Sequence, residues 1–215
     1  MEDTVQSKKK LYIIGAGDFG REMESLLEFI PQDQRDWEIA GYLDDNPNAL
    51  RGLSSDYGVV SSIDRHSFSE NDLVVLTIVD PPLKEEIFNK LKNKVKFFTY
   101  TFPNVILFKY CRIGEGSIIA ANCVISNNVT LGTCVTINEG SQIGHDSTIG
   151  DFSSLMSSVD LGGRCTFGKK VYCGTGAVII PGRTIGDDVK IGAGSVVIRN
   201  VKAGCRIFGN PAKLI

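Results

Sequence analysis

The sequence predicts two dissimilar parts: a small Rossmann-like α/β domain over residues 1–100 and a parallel β-helix over residues 101–215. Three observations carry this. Apolar strand-like runs alternate with amphipathic helical segments in the first hundred residues. A glycine-rich turn follows the first of those runs. From residue 107 onward an apolar residue returns every six positions.

Bulk composition narrows the function classes. The chain is 42% hydrophobic and 22% charged, ordinary for a packed globular protein. A net charge of −2 gives no general pull toward nucleic acid or an anionic membrane, so an anionic ligand must be held by local features. Lys8, Lys9 and Lys10 precede an apolar stretch too short for a secretory signal or a membrane span, and a solvated arm is expected there. With no secretory signal, the six cysteines read as reduced thiols and the protein as cytoplasmic.

Residues 10–14 read as a buried strand running into Gly15-Ala16-Gly17-Asp18-Phe19-Gly20, with a helix to about Phe29. Trp37 to Leu43 reads as a second strand ending in Asp44-Asp45. Leu73 to Val79 is a third, Leu83 to Lys92 a charged amphipathic helix, and Val95 to Phe98 a last short strand. Such alternation predicts a parallel sheet covered by helices. The turn brings backbone N–H groups close to a phosphate at a helix N-terminus, and the acidic pair is spaced to reach a ribose or base. The domain is too short for both halves of a dinucleotide fold, which disfavours NAD and leaves a nucleotide-sugar site or a ligand-free structural role.

The repeat runs Leu107, Ile113, Ile119 and onward to Val197, sixteen hexads in one register. The second position is glycine nine times in the fifteen hexads from residue 113, as at Gly114, Gly132 and Gly144. The fifth is small or β-branched, as at Ser117, Cys123 and Val129. Neither a helical nor an alternating period generates such columns. A chain bending every six residues does, stacking short parallel strands into a three-sided prism. Large aliphatics fill it and glycine tolerates its corners. Three hexads close a coil, so residues 113–202 make five coils, rising about 24 Å at roughly 4.8 Å each. Cys111, Cys123, Cys165 and Cys173 fall in inward columns as buried hydrophobes. Arg183 interrupts the fifth column with no partner readable from the sequence.

Only two histidines occur. His66 lies in a polar segment and is expected in solvent. His145 occupies an outward position beside Asp146 in the middle of the prism. A surface histidine on a repeat protein need not be catalytic, but an imidazole paired with a carboxylate can take a proton from an attacking amine or hydroxyl. The outward Cys134 has no neighbouring base, so direct transfer is expected over an acyl-enzyme.

The hexads resemble the hexapeptide-repeat acyltransferases, which implies a left-handed prism. Gly15 to Glu22, Leu43-Asp44-Asp45, Ile137-Asn138, Gly144-His145-Asp146 and the closing Gly209-Asn210-Pro211-Ala212-Lys213 extend the resemblance over nearly the whole chain. The subfamily is the bacterial sugar acetyltransferases that N-acetylate UDP-linked 4-amino sugars, grouped with the sialic acid O-acetyltransferase-like proteins. The resemblance implies that acetyl-CoA lies between two subunits of a homotrimer and that a nucleotide-sugar acceptor sits against Gly15, Gly17, Asp18, Phe19, Asp44 and Asp45. It further implies His145 as general base, Asp146 as its orienter, Asn138 on the sugar and Gly163 as oxyanion donor. Thr175, Ala193 and Pro211 would follow the cofactor. No metal is implied. The chain departs from the pattern at Ser154 and Phe102, where histidine is usual, and at Val79-Asp80-Pro81-Pro82, where a glycine is common. N-acetylation, O-acetylation and a non-catalytic nucleotide-sugar-binding trimer are the three functions compatible with these residues.

Overall fold

The computed structural model describes residues 8–215, and its contacts divide the chain into two units. The first comprises residues up to Ile78 together with Lys90–Phe98. Its strands β1 (Lys9–Ile14), β2 (Trp37–Leu43), β3 (Val59–Ser61), β4 (Leu73–Leu76) and β5 (Lys96–Phe97) form one parallel sheet in the order β3-β2-β1-β4-β5. Leu11, Ile13 and Ile14 of the central strand are wholly buried. Helix α1 (Asp18–Glu28) buries Phe19, Met23 and Leu27, the i, i+4, i+8 stripe of an amphipathic helix. β3, only three residues long, has no alternation from which to predict it. β4 stops at Leu76, short of the expected Val79; Thr77 beyond it still donates its N–H to the Ile14 carbonyl and turns its hydroxyl onto the carbonyls of Ile14 (2.7 Å) and Gly15 (3.1 Å).

Two expectations fail in this unit. The lysine run is not a solvated arm: Lys9 and Lys10 belong to β1, Lys9 pairs with Asp36 at 2.7 Å, and Lys8 donates to the Gln32 carbonyl. His66 is not free in solvent. Its ring lies edge-on to Tyr12 (4.4 Å) and Phe68 (4.7 Å), half-buried, and burial lowers its pKa.

The second unit comprises Val79–Asn89 and Thr99–Ile215. From residue 100 the chain coils into a parallel β-helix of two-residue strands on three faces, each strand pairing with the one eighteen residues on, as Ile125 with Ile143 and Ile137 with Leu155. The first-position aliphatics form one continuous core. Buried serines of the fifth column are satisfied along the coil. The Ser117 hydroxyl donates to the Gly132 carbonyl and accepts from the Val135 N–H, and Ser141, Ser147 and Ser153 repeat the pattern. Arg183 finds its partner locally, its Nε donating to the Pro181 carbonyl at 3.3 Å.

The glycines of the second position answer to a different cause than corner flexibility. The residue with positive φ is the fourth of each hexad from Leu107 to Ile191, a position that accepts Asn128, Cys134, Asp146 and Arg164 at φ between 50° and 61°. The second position is crowded by the next coil: a Cβ on Gly144 would stand 2.3 Å from the Gly163 nitrogen. Glycine is required there for close approach.

Helix α2 (Pro81–Leu91) was expected to cover the parallel sheet, yet its first nine residues group with the prism. Asp80 caps it through a side-chain bond to the Leu83 N–H, with Pro81 at the first helical position, which explains the departure at Asp80-Pro81-Pro82. Phe88 packs on Phe152 (5.4 Å between rings), Glu85 pairs with Lys170, and Lys84 is fully buried, donating to Thr136 Oγ1, Ser154 Oγ and the Ser153 carbonyl. Cys134, expected outward, does point away from the prism core but is 1% exposed. Burial raises its thiol pKa to about 12, even with Lys84 nearby, so it is no nucleophile at neutral pH.

Candidate active site on the corners of the prism

His145 and Asp146 turn the corner between the face that carries Gln142–Ile143 and the face that carries Thr148–Ile149. His145 Nδ1 lies 2.7 Å from Asp146 Oδ2, and the other carboxylate oxygen accepts from Asn128 Nδ2, one coil earlier, at 2.9 Å. These two bonds, the histidine's first, hold the Asp146 carboxyl below its ordinary range, so it is ionised at neutral pH. An ionised Asp146 fixes the imidazole proton on Nδ1 and leaves the Nε2 lone pair as the acceptor. Asn128 was not singled out in the sequence, although it stands eighteen residues before Asp146, one coil.

Nε2 points over the following coil. A Cβ built on Gly163 would stand 2.7 Å from it, so the imidazole rests directly on the bare Cα of Gly163, which is itself buried. Three other third positions carry side chains that reach back one coil. Asn127, Asp151 and Asp187 each turn an oxygen back to accept the N–H one coil earlier, from Lys109 (3.1 Å), Thr133 (3.0 Å) and Lys169 (2.8 Å). The residue in that relation to Gly163 is Pro181, and to Thr175 it is Ala193; neither has an acceptor. The N–H groups of Gly163 and Thr175 are therefore left without a side-chain cap, while the Gly163 carbonyl accepts from Gly182.

Thr175 and Ala193 are exposed, and so is Pro211 beyond them. Thr175 and Ala193 lie on a different corner from His145, the one between the face of Thr136–Ile137 and that of Gln142–Ile143, which also carries Asn138. Asn138 is 6% exposed and its side-chain oxygen has no partner among the described residues. One prism thus displays the predicted catalytic residues and the predicted cofactor residues on two separate edges.

In the α/β unit, Gly15 adopts φ +98° and any Cβ there would stand 2.8 Å from Ile78, so only glycine fits. A Cβ on Gly20 would collide with the Gly15 carbonyl, which is how α1 packs tightly on the turn. Gly17 is exposed and unconstrained, Asp18 is exposed and pairs with Arg21, and Phe19 is buried in the core. Asp44 is committed to backbone: one oxygen accepts from Ala16 N (2.8 Å) and the other from Asn46 N (2.8 Å), tying the glycine turn to the end of β2. Asp45 accepts from Ile63 N. Both aspartates line a hollow of about 550 Å³ with Pro47, Val59, Ser61 and Arg65. A larger hollow of about 780 Å³, lined by Lys9, Arg35 and Asp72, lies at the opposite strand ends and takes in none of the predicted residues. Among the described residues no cluster of three or more His, Cys, Asp or Glu could hold a metal, and no helix is long and apolar enough to cross a membrane.

Residues 10–91 match the family model of the PglD N-terminal domain. No curated protein matches the chain. Among solved structures, the acetyltransferase domain of PglB from Neisseria gonorrhoeae, in complex with acetyl coenzyme A, is 25% identical, with a TM-score of 0.85 over 97% of this chain and 100% of that one. WeeI from Acinetobacter baumannii gives the same values. PerB from Caulobacter crescentus, in complex with CoA and GDP-perosamine, is 26% identical, with a TM-score of 0.81 over 96% and 97% of the two chains. The chain is therefore a left-handed parallel β-helix protein whose residues 10–91 match the PglD N-terminal domain and which is similar, over nearly its whole length, to these acetyltransferase structures.

Proposed function

We propose that the protein transfers the acetyl group of acetyl-CoA to the amine of a nucleotide-linked amino sugar, without an acyl-enzyme. The observation that carries this reading is the His145 imidazole, oriented through Nδ1 by an ionised Asp146, with Nε2 free above Gly163. Likeness to PglB with acetyl coenzyme A and to PerB with CoA and GDP-perosamine supports the choice of substrates. The sugar amine attacks the thioester carbonyl, an amide bond forms and the C–S bond breaks. His145 Nε2 takes the proton lost by the amine and returns it to the departing CoA thiolate. The N–H of Gly163 is the donor for the thioester oxygen, a role that carries roughly 3 kcal/mol where such donors have been removed. Thr175 and Ala193 run along the pantetheine through backbone groups and Pro211 approaches the adenine. Gly15, Gly17, Asp18, Phe19, Asp44 and Asp45 hold the nucleotide, with the Asp44 carboxylate acting chiefly by bracing the turn. Asn138 holds the sugar through its unpartnered oxygen.

The working form is a homotrimer. With cofactor residues on one corner and His145 on another, a single groove needs the first corner of one copy against the second corner of its neighbour. Six free cysteines, four of them buried, support a reducing, cytoplasmic setting. The deciding experiment measures thiol release from acetyl-CoA against UDP-, dTDP- and GDP-linked amino sugars and their hydroxyl analogues. His145→Ala is expected to lower kcat at least about 10²-fold while acetyl-CoA binding persists. Turnover close to wild type in that variant rejects the general-base role. A preference for the hydroxyl analogue moves the reaction to O-acetylation.

A further inference from the structure

The corner column through Asn127, His145, Gly163 and Pro181 places a proline one coil on from the Gly163 N–H, whereas the N–H groups of Lys109, Thr133 and Lys169 each face an Asn or Asp. Where the residue one coil on is Asn or Asp, its side chain folds back and consumes the third-position N–H, as Asn127 does for Lys109, Asp151 for Thr133 and Asp187 for Lys169. Above Gly163 that place belongs to Pro181, which has neither a side-chain acceptor nor a backbone N–H. The prism fold accommodates an Asx residue at this position on other coils, so proline is not demanded by the coil geometry. Pro181 also stands against Gly162, its ring nitrogen 2.6 Å from where a Cβ of that glycine would lie, as the nitrogens of Gly163 and Ala193 stand against Gly144 and Gly174.

We propose that Pro181 is a positioning residue for acetyl transfer: because it lacks the acceptor by which Asn127, Asp151 and Asp187 cap the N–H one coil earlier, it keeps the Gly163 N–H open to receive the thioester oxygen. The inference rests on the acetyltransferase reading and adds a residue to it. Pro181 takes no part in the proton transfer and acts only through the Gly163 amide. An Asn in its place reproduces the Asn127 arrangement and occupies that amide with a neutral acceptor, whereas an Ala offers no acceptor.

The experiment compares wild type, Pro181→Asn and Pro181→Ala by steady-state kinetics with acetyl-CoA and an accepted amino sugar, and by amide hydrogen exchange at Gly163. The expected result is a fall in kcat of about 10-fold or more for Pro181→Asn, from the loss of an oxyanion donor, with the KM for acetyl-CoA changed by less than about threefold. Exchange at Gly163 slows in the same variant, its melting temperature holds or rises, and Pro181→Ala keeps turnover within a few-fold of wild type. Slowed exchange with undiminished kcat overturns the proposal, because the amide would then be capped without consequence. Unchanged exchange in Pro181→Asn overturns its geometric premise, and equal losses in both variants assign the effect to the proline ring. His145→Ala is assayed in the same series: full activity there rejects the base reading, an outcome distinct from every result at Pro181.

Discussion

Gly163 is the only glycine among the third positions of the hexads, a column that elsewhere carries Lys109, Asn127, Thr133 and Asp151. The cause is the imidazole one coil earlier. A methyl group at Gly163 would meet His145 Nε2 at 2.7 Å and both adjoining ring carbons at 2.9 Å. Contacts that short cannot persist, and the mobile partner is the histidine ring, not the backbone. Gly163→Ala therefore leaves the prism folded, keeps the N–H, and tilts the base off its seat. A displacement near 1 Å at a reacting group costs on the order of 10²-fold, so kcat is expected to fall by about 10- to 100-fold with little change in melting temperature. In a His145→Ala background the same substitution has no ring to displace, and its effect on kcat should vanish. A loss that persists there in full means Gly163 acts without His145. At this scale the adjacent pair His145-Asp146 was legible in the sequence because neighbours in the chain are neighbours at the corner. Asn128 and Pro181 were not, since their relations to Asp146 and Gly163 span eighteen residues and emerge only when the coil length is used to pair positions.

Among the elements, the prism strands were readable because one six-residue beat sets both their spacing and their inward face. Helix α2 was readable as a helix but not in its partner: amphipathicity says that a face is covered, never by what. Lys84 marks that partner. It lies on the buried face, wholly enclosed, and burial lowers its pKa from 10.5 to about 7, opposed only partly by Cys134 and Asp80 nearby. Thr136 Oγ1, Ser154 Oγ and the Ser153 carbonyl accept from its amine. The sign of the linkage follows from the two pKa values. Between pH 10.5 and 7 the unfolded chain binds a proton at this residue that the folded chain does not, so stability falls as pH drops through that window and levels out below it. The full difference is at most about 5 kcal/mol, less whatever the three acceptors restore. Lys84→Met removes the titration while keeping the length of the side chain. Urea unfolding at pH 7, 8 and 9 is expected to show wild type gaining stability relative to Lys84→Met as pH rises. A difference that stays constant across those pH values means that Lys84 keeps its proton inside the fold.

For the whole molecule, the consequential fact is that a triangular prism carries the proposed catalytic and cofactor residues on separate edges. His145 and Gly163 occupy one corner, and Thr175 and Ala193 occupy another. If a cofactor is gripped by both sets, it is gripped by two copies of the chain, since the face between them is filled by its own strands. In a cyclic trimer each of three grooves then draws its base and the Gly163 N–H from one subunit and the backbone of Thr175 and Ala193 from the next. This arrangement can be tested by mixing two inactive chains. His145→Ala removes the base, and Ala193→Trp obstructs the cofactor edge, each leaving the other corner intact. Co-expressed in equal amounts and assembled at random, a groove is whole only when the subunit supplying its base carries Ala193→Trp and its neighbour carries His145→Ala. That pairing occurs at about one groove in four for a cyclic trimer. Thiol-release activity is accordingly expected to recover to about a quarter of wild type in the co-expressed mixture and to remain at background when the two separately purified proteins are combined without subunit exchange. Background activity in co-expressed trimers, shown to be mixed by mass spectrometry, would place base and cofactor edge on the same chain.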